Sequence, residues 1–424
     1  MITIKIKTMG CRLNHAEAAT ISGALEYEGF DVVDGDAPCD MLILHTCVIT
    51  AAAQSQAMRL VRSAKRHGVG CVVLSGCATS IVESEKLFAV GVDVIVDKKT
   101  GAVTCNGDAA MLRIGQIVAG ALSATAQRAY LPAFTSTRAS VKVQDGCDFR
   151  CAYCIVPDTR GAPRSRSAPE ILEEIAGLAQ QGFREVVLTG VNVACWRDGG
   201  MGLADLARDA ATIDGLARIR LSSVEPGTAE RALVDVMAEA GSRLCHTLHY
   251  PLQSGDAGVL RRMRRRYTPD VYRDAVSYAL SRVPRLGLGA DVITGFPGED
   301  DAAFAETVRM IEAYPFNNLH VFPYSERPGT PAAELDGVVP VHVRRERARE
   351  LIALGARKRE AFAASLVGAQ VEVLVERVDA KGVGRGWTSE YVEAQVSGLT
   401  EVDVGRLVRF EVASAVEGQV IGDR

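Results

Sequence analysis

Three cysteines lie close together in the middle of the chain: Cys147, Cys151 and Cys154, with three and then two residues between them. Three thiolates cannot complete the tetrahedral shell of a structural zinc ion, but they can hold three irons of a four-iron cluster and leave the fourth iron open. A single cysteine is usually only a small buried apolar side chain. This spacing, directly after a β-branched run at Val141–Gln144, instead predicts an iron–sulfur site with an open coordination position.

Three further cysteines each follow a predicted strand in the first hundred residues. Cys11 follows Ile2–Lys7, while Cys47 and Cys77 follow the runs MLILH and VVLS. Because the carboxyl ends of parallel strands open into one crevice, we expect these thiols to meet there. The alternative, three separate buried thiols, stays open at this point. A second three-thiolate site is the leading interpretation.

The elements around these cysteines predict an α/β protein of three parts, as a length of 424 residues allows. Residues 1–100 alternate strands and helices and predict a doubly wound parallel sheet. Residues 101–138 are interpreted as a linker with one helix. Residues 139–365 contain six βα units, which favours an open partial (βα)6 barrel. Residues 366–424 read as a small antiparallel β-barrel with glycine-rich turns.

The carboxyl ends of the barrel strands should carry the working residues. We expect contacts to a small-molecule cofactor from Asn192, Ser223 and Gln253, with Tyr153 packed beside it. Further candidates follow the same strand ends: Gly190, Glu225, Ser254, Gly295 and Tyr324–Arg327.

Composition limits the classes of partner. The net charge is −4, so contacts to nucleic acid must come from local patches. No apolar run approaches the roughly 18 residues of a membrane span, and the N-terminus is a short strand pattern without the apolar segment of a signal peptide. We therefore expect a cytoplasmic protein without a membrane partner, whose 11 cysteines stay reduced.

Two surfaces are candidates for binding nucleic acid. The run RRMRRR places five arginines in six residues, without interleaved acids, and guanidinium groups bind phosphate well. The C-terminal segment holds ten acids against six bases, which leaves stacking on Trp387 and Tyr391 as its possible role. A module that only packs on the barrel is the alternative for this segment. The arginines in question are Arg261, Arg262, Arg264, Arg265 and Arg266.

Several longer motifs resemble those of one enzyme family over nearly the whole chain. They are TMGCRLNHAEA, HTCVIT, SGCAT, QDGCDFRCAYCIVPDTRG, RLSSVEP, HYPLQSGDAGVLRRMRRRYT, ADVITGFPGE and FPYSERPGTPA. The chain is similar to the radical S-adenosylmethionine (SAM) methylthiotransferases. The resemblance implies two 4Fe-4S clusters and SAM as cofactors. It implies a radical-generating cluster on Cys147, Cys151 and Cys154, and an auxiliary cluster on Cys11, Cys47 and Cys77. It also implies a C-terminal TRAM domain.

Within this family, GCRLNHAE and QDGC resemble the branch that adds a methylthio group to C2 of N6-threonylcarbamoyladenosine beside the tRNA anticodon. The C2 hydrogen has no acidity that a side-chain base could use, which is why radical chemistry is required. The implied partners are the tRNA anticodon arm, an electron donor such as flavodoxin or ferredoxin, and a sulfur source. The loop VACWRDGG departs from the family pattern, which leaves the roles of Cys195 and Trp196 open.

Three alternatives remain at this point. Two are other branches of the family, which act on isopentenyladenosine in tRNA or on an aspartate of a ribosomal protein. The third, of a different class, is a non-catalytic iron–sulfur electron carrier. An electron carrier needs neither an open iron nor a barrel with a substrate cavity, and it would form no 5′-deoxyadenosine from SAM.

Overall fold

A computed structural model describes residues 2–35, 37–47, 51–123, 129–227, 230–239, 241 and 243–424. Within these ranges, no helix is both long and apolar enough to cross a lipid bilayer.

The N-terminal part is a six-stranded sheet in the order β2-β1-β3-β4-β5-β6, parallel except for the β5–β6 pair. Its central strand β3 is buried along its whole length, as its run MLILHT predicts. One core lies under α1 and α4 and the other under α2 and α3, so helices cover both faces. The elements are β1 (Thr3–Thr8), α1 (Arg12–Tyr27), β2 (Asp31–Val33), β3 (Met41–Thr46), α2 (Ala51–Arg66), β4 (Cys71–Gly76), α3 (Ser84–Ala89), β5 (Val94–Val96), β6 (Val103–Cys105) and α4 (Ala109–Leu122).

The stretch predicted as a linker, 101–138, contributes to this sheet and its core. Strand β6 pairs with β5, and Ile114, Val118 and Leu122 on α4 are buried against the sheet. An antiparallel edge strand is hard to recognise in sequence when it is only three residues long. The N-terminal core therefore extends past residue 100, to Leu122.

The central part is an open barrel of six parallel strands. Strands β13-β10-β7 form one sheet and β14-β15-β16 the other, and a bridge between Ile219 and Leu244 connects them. Strands β7 and β16 are the two edges, so the barrel is open between them. The elements are β7 (Arg138–Lys142), β8 (Gln144–Asp145), α5 (Val156–Arg160), β9 (Arg164–Ser165), α6 (Ala168–Gln180), β10 (Glu185–Thr189), β11 (Arg197–Asp198), β12 (Met201–Gly202), α7 (Leu203–Ala210), β13 (Arg218–Leu221), α8 (Glu230–Ala238), β14 (Thr247–His249), α9 (Ala257–Arg262), α10 (Pro269–Arg282), β15 (Gly287–Thr294), α11 (Asp301–Ala313), β16 (Phe316–Pro323) and α12 (Val341–Ala364).

The C-terminal part is a six-stranded curled sheet in the order β20-β17-β18-β19-β22-β21. Its pairs are antiparallel except β19–β22, which is parallel. It is thus a curled half-barrel rather than the fully antiparallel barrel expected. The predicted fold class is otherwise confirmed. The strands are β17 (Gln370–Val378), β18 (Gly384–Thr388), β19 (Glu393–Ser397), β20 (Leu407–Glu411), β21 (Ser414–Val416) and β22 (Gln419–Asp423).

Candidate functional site

The cysteine loop of the barrel lies between β8 and α5 and is shaped by backbone hydrogen bonds. The amide of Cys147 donates to Gly161 O at 3.1 Å, and that of Cys154 to Cys151 O at 3.0 Å. The amides of Phe149 and Val156 approach the sulfurs of the first and third cysteine, each at 3.4 Å. Amide donors stabilise a thiolate, so this loop suits sulfur ligands of a metal cluster.

The thiols of this loop lie close enough to affect one another. Burial, with smaller contributions from the neighbouring Cys151 and Cys147, raises the pKa of Cys154 to about 12. Burial raises the pKa of Cys147 as well. A bound iron reverses this preference, because a coordinated thiol is deprotonated outright.

Arg265 lies inside this site. Its Nη1 donates to Cys151 Sγ at 3.2 Å and to Tyr153 Oη at 3.3 Å, and its Nη2 forms an ion pair with Glu225. Its side chain is only 4% exposed. The guanidinium therefore places a positive charge against one sulfur of the three, with Glu225 fixing its orientation.

The residues predicted to contact SAM follow the carboxyl ends of neighbouring strands, as expected. Asn192 is buried and its backbone amide donates to Gln144 Oε1 at 2.9 Å, while Ser223 is half-buried. Gln253 is buried with φ at +61°, and its backbone amide donates to Asp291 O at 2.7 Å. Tyr153 packs edge-on against Phe296.

Within the described part of the chain, three buried polar atoms near these strand ends have no hydrogen-bond partner. They are Asn192 Oδ1, Ser222 Oγ and Tyr324 Oη, which follow β10, β13 and β16. A buried polar atom without a partner is costly and needs an explanation. A polar ligand at this face, such as SAM, would provide the missing hydrogen bonds, so the residues fit the cofactor.

Two of the other strand-end candidates make hydrogen bonds within the protein, and a third is limited by close packing. Ser254 Oγ contacts Thr307 Oγ1 at 3.3 Å, and Gly295 N donates to Glu299 Oε1 at 2.7 Å. Only glycine fits at position 190, because a Cβ there would lie 2.8 Å from Gln144 O. These residues shape the rim of the site.

The second set of cysteines also converges. A Cβ on Gly10, whose φ is +107°, would lie 2.5 Å from Cys47 Cβ and 2.9 Å from its Sγ. Burial raises the pKa of Cys11, and Cys77 is among the neighbours that raise it. Cys47 and Cys77 are buried, whereas Cys11 is exposed as a whole residue and only its thiol is enclosed by other protein atoms. The carboxyl ends of β1, β3 and β4 therefore bring three thiols to one crevice, a donor set that fits an iron–sulfur cluster.

The two cysteine sites are in contact. Cys77 and Ile155 belong to one small buried cluster, and Ile155 directly follows Cys154. Ser80 Oγ donates to Thr159 O at 3.3 Å across the same junction. Arg327, from the loop after β16, is buried and its guanidinium group reaches Gln54 Oε1 at 3.5 Å. Cys47 is close enough to interact electrostatically with this guanidinium group.

A buried ionic cluster joins the two parts beneath this contact. Its centre is Glu17 on α1, whose carboxylate lies 2.7 Å from Lys98 Nζ, 3.1 Å from Lys142 Nζ and 3.1 Å from Arg160 Nη2. Arg160 Nη1 also lies 2.9 Å from Asp145 Oδ1. All five side chains are at most 5% exposed. We call these five residues the junction cluster.

The charges of the junction cluster explain how it tolerates burial. Burial alone would raise the pKa of Glu17, but Arg160, Lys98 and Lys142 outweigh it and hold this pKa well below its usual value. Three cations face two carboxylates, which leaves one net positive charge. Cys77 is close enough to Arg160 to interact with it electrostatically, so this excess charge lies beside the second cysteine site.

Arg160 also reaches toward Cys11, which belongs to the second cysteine site. Its Nη2 donates to Asn14 Oδ1 at 2.7 Å, and Cys11 Sγ contacts the same oxygen at 3.7 Å. Asn14 Nδ2 in turn donates to Thr46 O, just before Cys47, at 2.9 Å. The side chains of Arg160 and Asn14 thus connect both cysteine sites.

The arginine run is not one uniform surface. The side chain of Arg265 is buried in the cysteine site, and Arg262 donates to Pro297 O and pairs with Asp336, so both guanidinium groups are already engaged by protein partners. Arg266 lies over the ring of Phe149 at 3.9 Å. Arg261 and Arg264 are exposed, and with Arg266 they remain the predicted surface for tRNA.

Trp387 and Tyr391 pack against each other and against the rest of the protein. Their rings stack at 4.4 Å, Arg12 Nη2 lies 2.5 Å from Tyr391 Oη, and Arg220 stands over the tyrosine ring. Arg220 also donates to Thr388 O at 2.9 Å. These rings dock the C-terminal sheet on the barrel, so the predicted platform for stacking RNA bases is not supported.

The departing loop VACWRDGG places one residue near the cysteines. Burial, with a smaller contribution from the nearby Cys147, raises the pKa of Cys195 to about 11. Trp196 is fully buried and donates from Nε1 to Arg166 O at 2.9 Å. Trp196 is therefore a core residue, and only Cys195 lies near the site.

The junction cluster was missed by sequence reasoning. The charged groups lie in elements far apart in sequence; Glu17 and Arg160 are 143 residues apart. The one usable signal is the spacing of Asn14 and Glu17 with Ile21 and Leu25, which puts two polar residues on the buried stripe of α1.

An open parallel barrel with three cysteines on the loop after its first strands defines the class of the radical SAM enzymes. The model of the radical SAM superfamily matches residues 141–311, and that of the uncharacterized protein family UPF0004 matches residues 3–97. The radical SAM methyltransferase TsrM from Kitasatospora setae, a solved structure, has a similar fold. The TM-score is 0.55 at 15% identity, over 78% of this chain and 75% of that one.

Full-length relatives narrow the class. Threonylcarbamoyladenosine tRNA methylthiotransferase MtaB of Chlamydia pneumoniae is 34% identical over 99% of this chain and 98% of its own. The tRNA-2-methylthio-N(6)-dimethylallyladenosine synthase of Thermodesulfovibrio yellowstonii is 30% identical over 99% and 98%. The chain belongs to the radical SAM methylthiotransferase family. It is therefore an enzyme, which excludes the electron-carrier alternative.

Proposed function

We propose that the protein inserts a methylthio group at C2 of N6-threonylcarbamoyladenosine beside the anticodon of tRNA, with one SAM as methyl donor and another as radical source. The observation that carries the proposal is the pair of three-cysteine sites in direct contact. The name of the Chlamydia pneumoniae relative supports the choice of substrate. The Thermodesulfovibrio yellowstonii relative makes isopentenyl-type adenosine the second candidate.

The cofactors would be two 4Fe-4S clusters and SAM. Cys147, Cys151 and Cys154 would hold the cluster whose open iron binds SAM. Asn192, Ser223, Gln253 and Tyr153 would contact SAM. When bound, this pair supplies a carbon radical able to remove the unactivated C2 hydrogen. The auxiliary cluster, which would supply the sulfur, would be held by the other three cysteines: Cys11, Cys47 and Cys77.

The chain's own side chains orient and screen these sites. Arg265 donates to Cys151 Sγ and is held by Glu225, so it neutralises part of the thiolate charge. The junction cluster holds the N-terminal sheet against the cysteine loop and fixes the separation of the two sites. Burial of Cys47 and Cys151 keeps water away from the sulfurs.

The remaining partners are the tRNA anticodon arm, an electron donor such as flavodoxin or ferredoxin, and a sulfur source. Arg261, Arg264 and Arg266 are the proposed contacts for tRNA phosphates. The guanidinium group of Arg266 lies beside the cysteine loop, where its Nη2 donates to Asp148 O at 3.1 Å. An RNA bound there would lie beside the site.

Nucleoside mass spectrometry of bulk tRNA from cells with and without this gene tests the proposal. We expect 2-methylthio-N6-threonylcarbamoyladenosine to disappear without the gene and its unthiolated parent to accumulate. If that nucleoside is unchanged and the methylthio form of isopentenyladenosine disappears instead, the second candidate is correct. If both nucleosides are unchanged, tRNA is not the substrate.

A further inference from the structure

Two histidines and an aspartate meet on one wall of the barrel. His249, Asp291 and His320 lie on the neighbouring strands β14, β15 and β16. His249 Nε2 and His320 Nδ1 each lie 3.1 Å from Asp291 Oδ1, and the two imidazole rings are 5.0 Å apart. None of these side chains has a role in the site described above.

Strand register and a glycine create this arrangement. Asp291 is directly opposite His320, and His249 is directly opposite Gly289, two residues before Asp291. A Cβ on Gly289 would lie 2.5 Å from His249 Nδ1. The missing side chain therefore lets the His249 ring lie over the strand and reach Asp291.

The group faces the interior of the barrel. Leu288, Ala290 and Val292 on β15 are buried in the core, and side chains alternate along a strand, so Asp291 points to the opposite face. The backbone oxygen of Asp291 accepts a hydrogen bond from the backbone amide of Gln253, a residue proposed to contact SAM. The group thus lies on the same wall as the site, next to a residue proposed to contact SAM.

One member of the group is open to a ligand. The side chain of His320 is 48% exposed on β16, the strand that borders the barrel opening, whereas that of His249 is 15% exposed. Nδ1 of His320 is used by Asp291, while the described part of the chain gives its Nε2 no hydrogen-bond partner. An anion that entered through the opening would meet this nitrogen.

The open nitrogen of His320 can bind an anionic ligand. His249 Nε2 and His320 Nδ1 both lie 3.1 Å from Oδ1 of Asp291, so both rings are gathered around one carboxylate oxygen. Burial alone would raise the pKa of Asp291, but His249 and His320 outweigh it and hold this pKa below its usual value. A ligand carboxylate at Nε2 of His320, with Asp291 at Nδ1, would place an anion at each nitrogen of the ring and so favour the ring form that donates from both.

We propose that His320, held by Asp291 and backed by His249, binds the carboxylate of the substituent on the substrate adenosine. This inference rests on the proposed function, because the threonylcarbamoyl group carries such a carboxylate and the isopentenyl group does not. His320 is then a specificity-determining residue. It distinguishes an acidic substituent from an apolar one without contact to the reacting carbon.

Binding of two synthetic anticodon stem–loops tests the inference on the reconstituted enzyme with SAM. One carries N6-threonylcarbamoyladenosine, and the other carries the same group with its carboxylate capped as a methyl ester. The wild type should bind the free acid about tenfold more tightly than the ester, as a charge-assisted hydrogen bond implies. In His320→Ala this ratio should fall to about twofold or less, while the affinity for the ester stays unchanged.

Two further variants sharpen the result. His320→Gln keeps a donor without a positive charge and should give an intermediate ratio. His67→Ala removes an exposed imidazole that directly follows α2 and whose Nδ1 lies 2.8 Å from Ser63 O, and it should keep the wild-type ratio. Unchanged affinity of His320→Ala for the ester shows that the variant is folded.

The possible failures are distinguishable. An unchanged ratio in His320→Ala, with a wild type that methylthiolates the acid stem–loop, overturns the inference and leaves the proposed function standing. An equal loss of affinity for both stem–loops in His320→Ala also overturns it, since the role of His320 would then be structural. A wild type that does not methylthiolate the acid stem–loop overturns the proposed function and the inference together.

Discussion

Replacing Glu17 by glutamine should loosen the junction between the N-terminal sheet and the barrel. The substitution keeps the shape of the side chain but removes a negative charge that faces Lys98, Lys142 and Arg160 at 2.7 to 3.1 Å. Three buried cations would then share the single carboxylate of Asp145. Buried ions without enough counter-charge are strongly destabilising.

The size of the effect follows from burial. Removing one partner of a buried ion pair costs about 3–5 kcal/mol, and Glu17 is 1% exposed. The matched control is Glu83→Gln, which breaks a pair with Lys86 whose side chains are 69% and 71% exposed. Such a surface pair contributes about 0–1 kcal/mol.

Hydrogen exchange followed by mass spectrometry measures the effect locally, which suits a protein of several domains. In Glu17→Gln, the free energy of opening of α1 (Arg12–Tyr27) should fall by about 3–5 kcal/mol. Adding Lys98→Met removes one surplus cation and should restore part of this loss. A change below about 1 kcal/mol, equal to that in Glu83→Gln, would refute the reasoning on buried charge.

Three further predictions concern pH, the tRNA surface and the second cysteine site. The pKa of Glu17 is lower in the folded protein than its ordinary value of 4.5, so the stabilisation by Glu17 is present above pH 4.5 and is lost as the pH falls toward the folded-state pKa. We therefore expect α1 to open more readily below about pH 4.5, with a weaker dependence on pH in Glu17→Gln. Hydrogen exchange between pH 3 and 6 would show this difference. Charge reversal at both Arg261 and Arg264 should weaken tRNA binding and reduce its salt slope by roughly two, with SAM cleavage in the absence of tRNA unchanged; an unchanged slope removes them from the interface. Gly10→Ala should halve the iron content, because its Cβ would lie 2.9 Å from Cys47 Sγ, and a full complement of iron would contradict that placement.

Local features of the site were predictable from sequence. The spacing of Cys147, Cys151 and Cys154 fixes three thiols in one loop, and strand ends of a parallel sheet converge wherever the strands are recognised. The alternation of buried strands with helices gave the correct fold class for this reason. The placement of Asn192 and Gln253 past their strands followed from the same rule.

Features that depend on long-range packing were not predictable. Whether an arginine lies on a surface or inside is decided by distant partners, as Glu225 decides it for Arg265. Tyr391 stacks on Trp387 and contacts Arg12, which lies 379 residues away in sequence. The His249–Asp291–His320 group likewise requires the register of three strands, and no local pattern in the sequence reports a register.

One assay tests most directly that two cysteine sites divide the work. Wild type, Cys47→Ala and Cys147→Ala would be reconstituted without oxygen and given SAM, a reductant and tRNA that carries N6-threonylcarbamoyladenosine; 5′-deoxyadenosine and the methylthiolated nucleoside would be measured together. We predict both products from the wild type, 5′-deoxyadenosine alone from Cys47→Ala, and neither from Cys147→Ala. Methylthiolated nucleoside from Cys47→Ala would contradict the account.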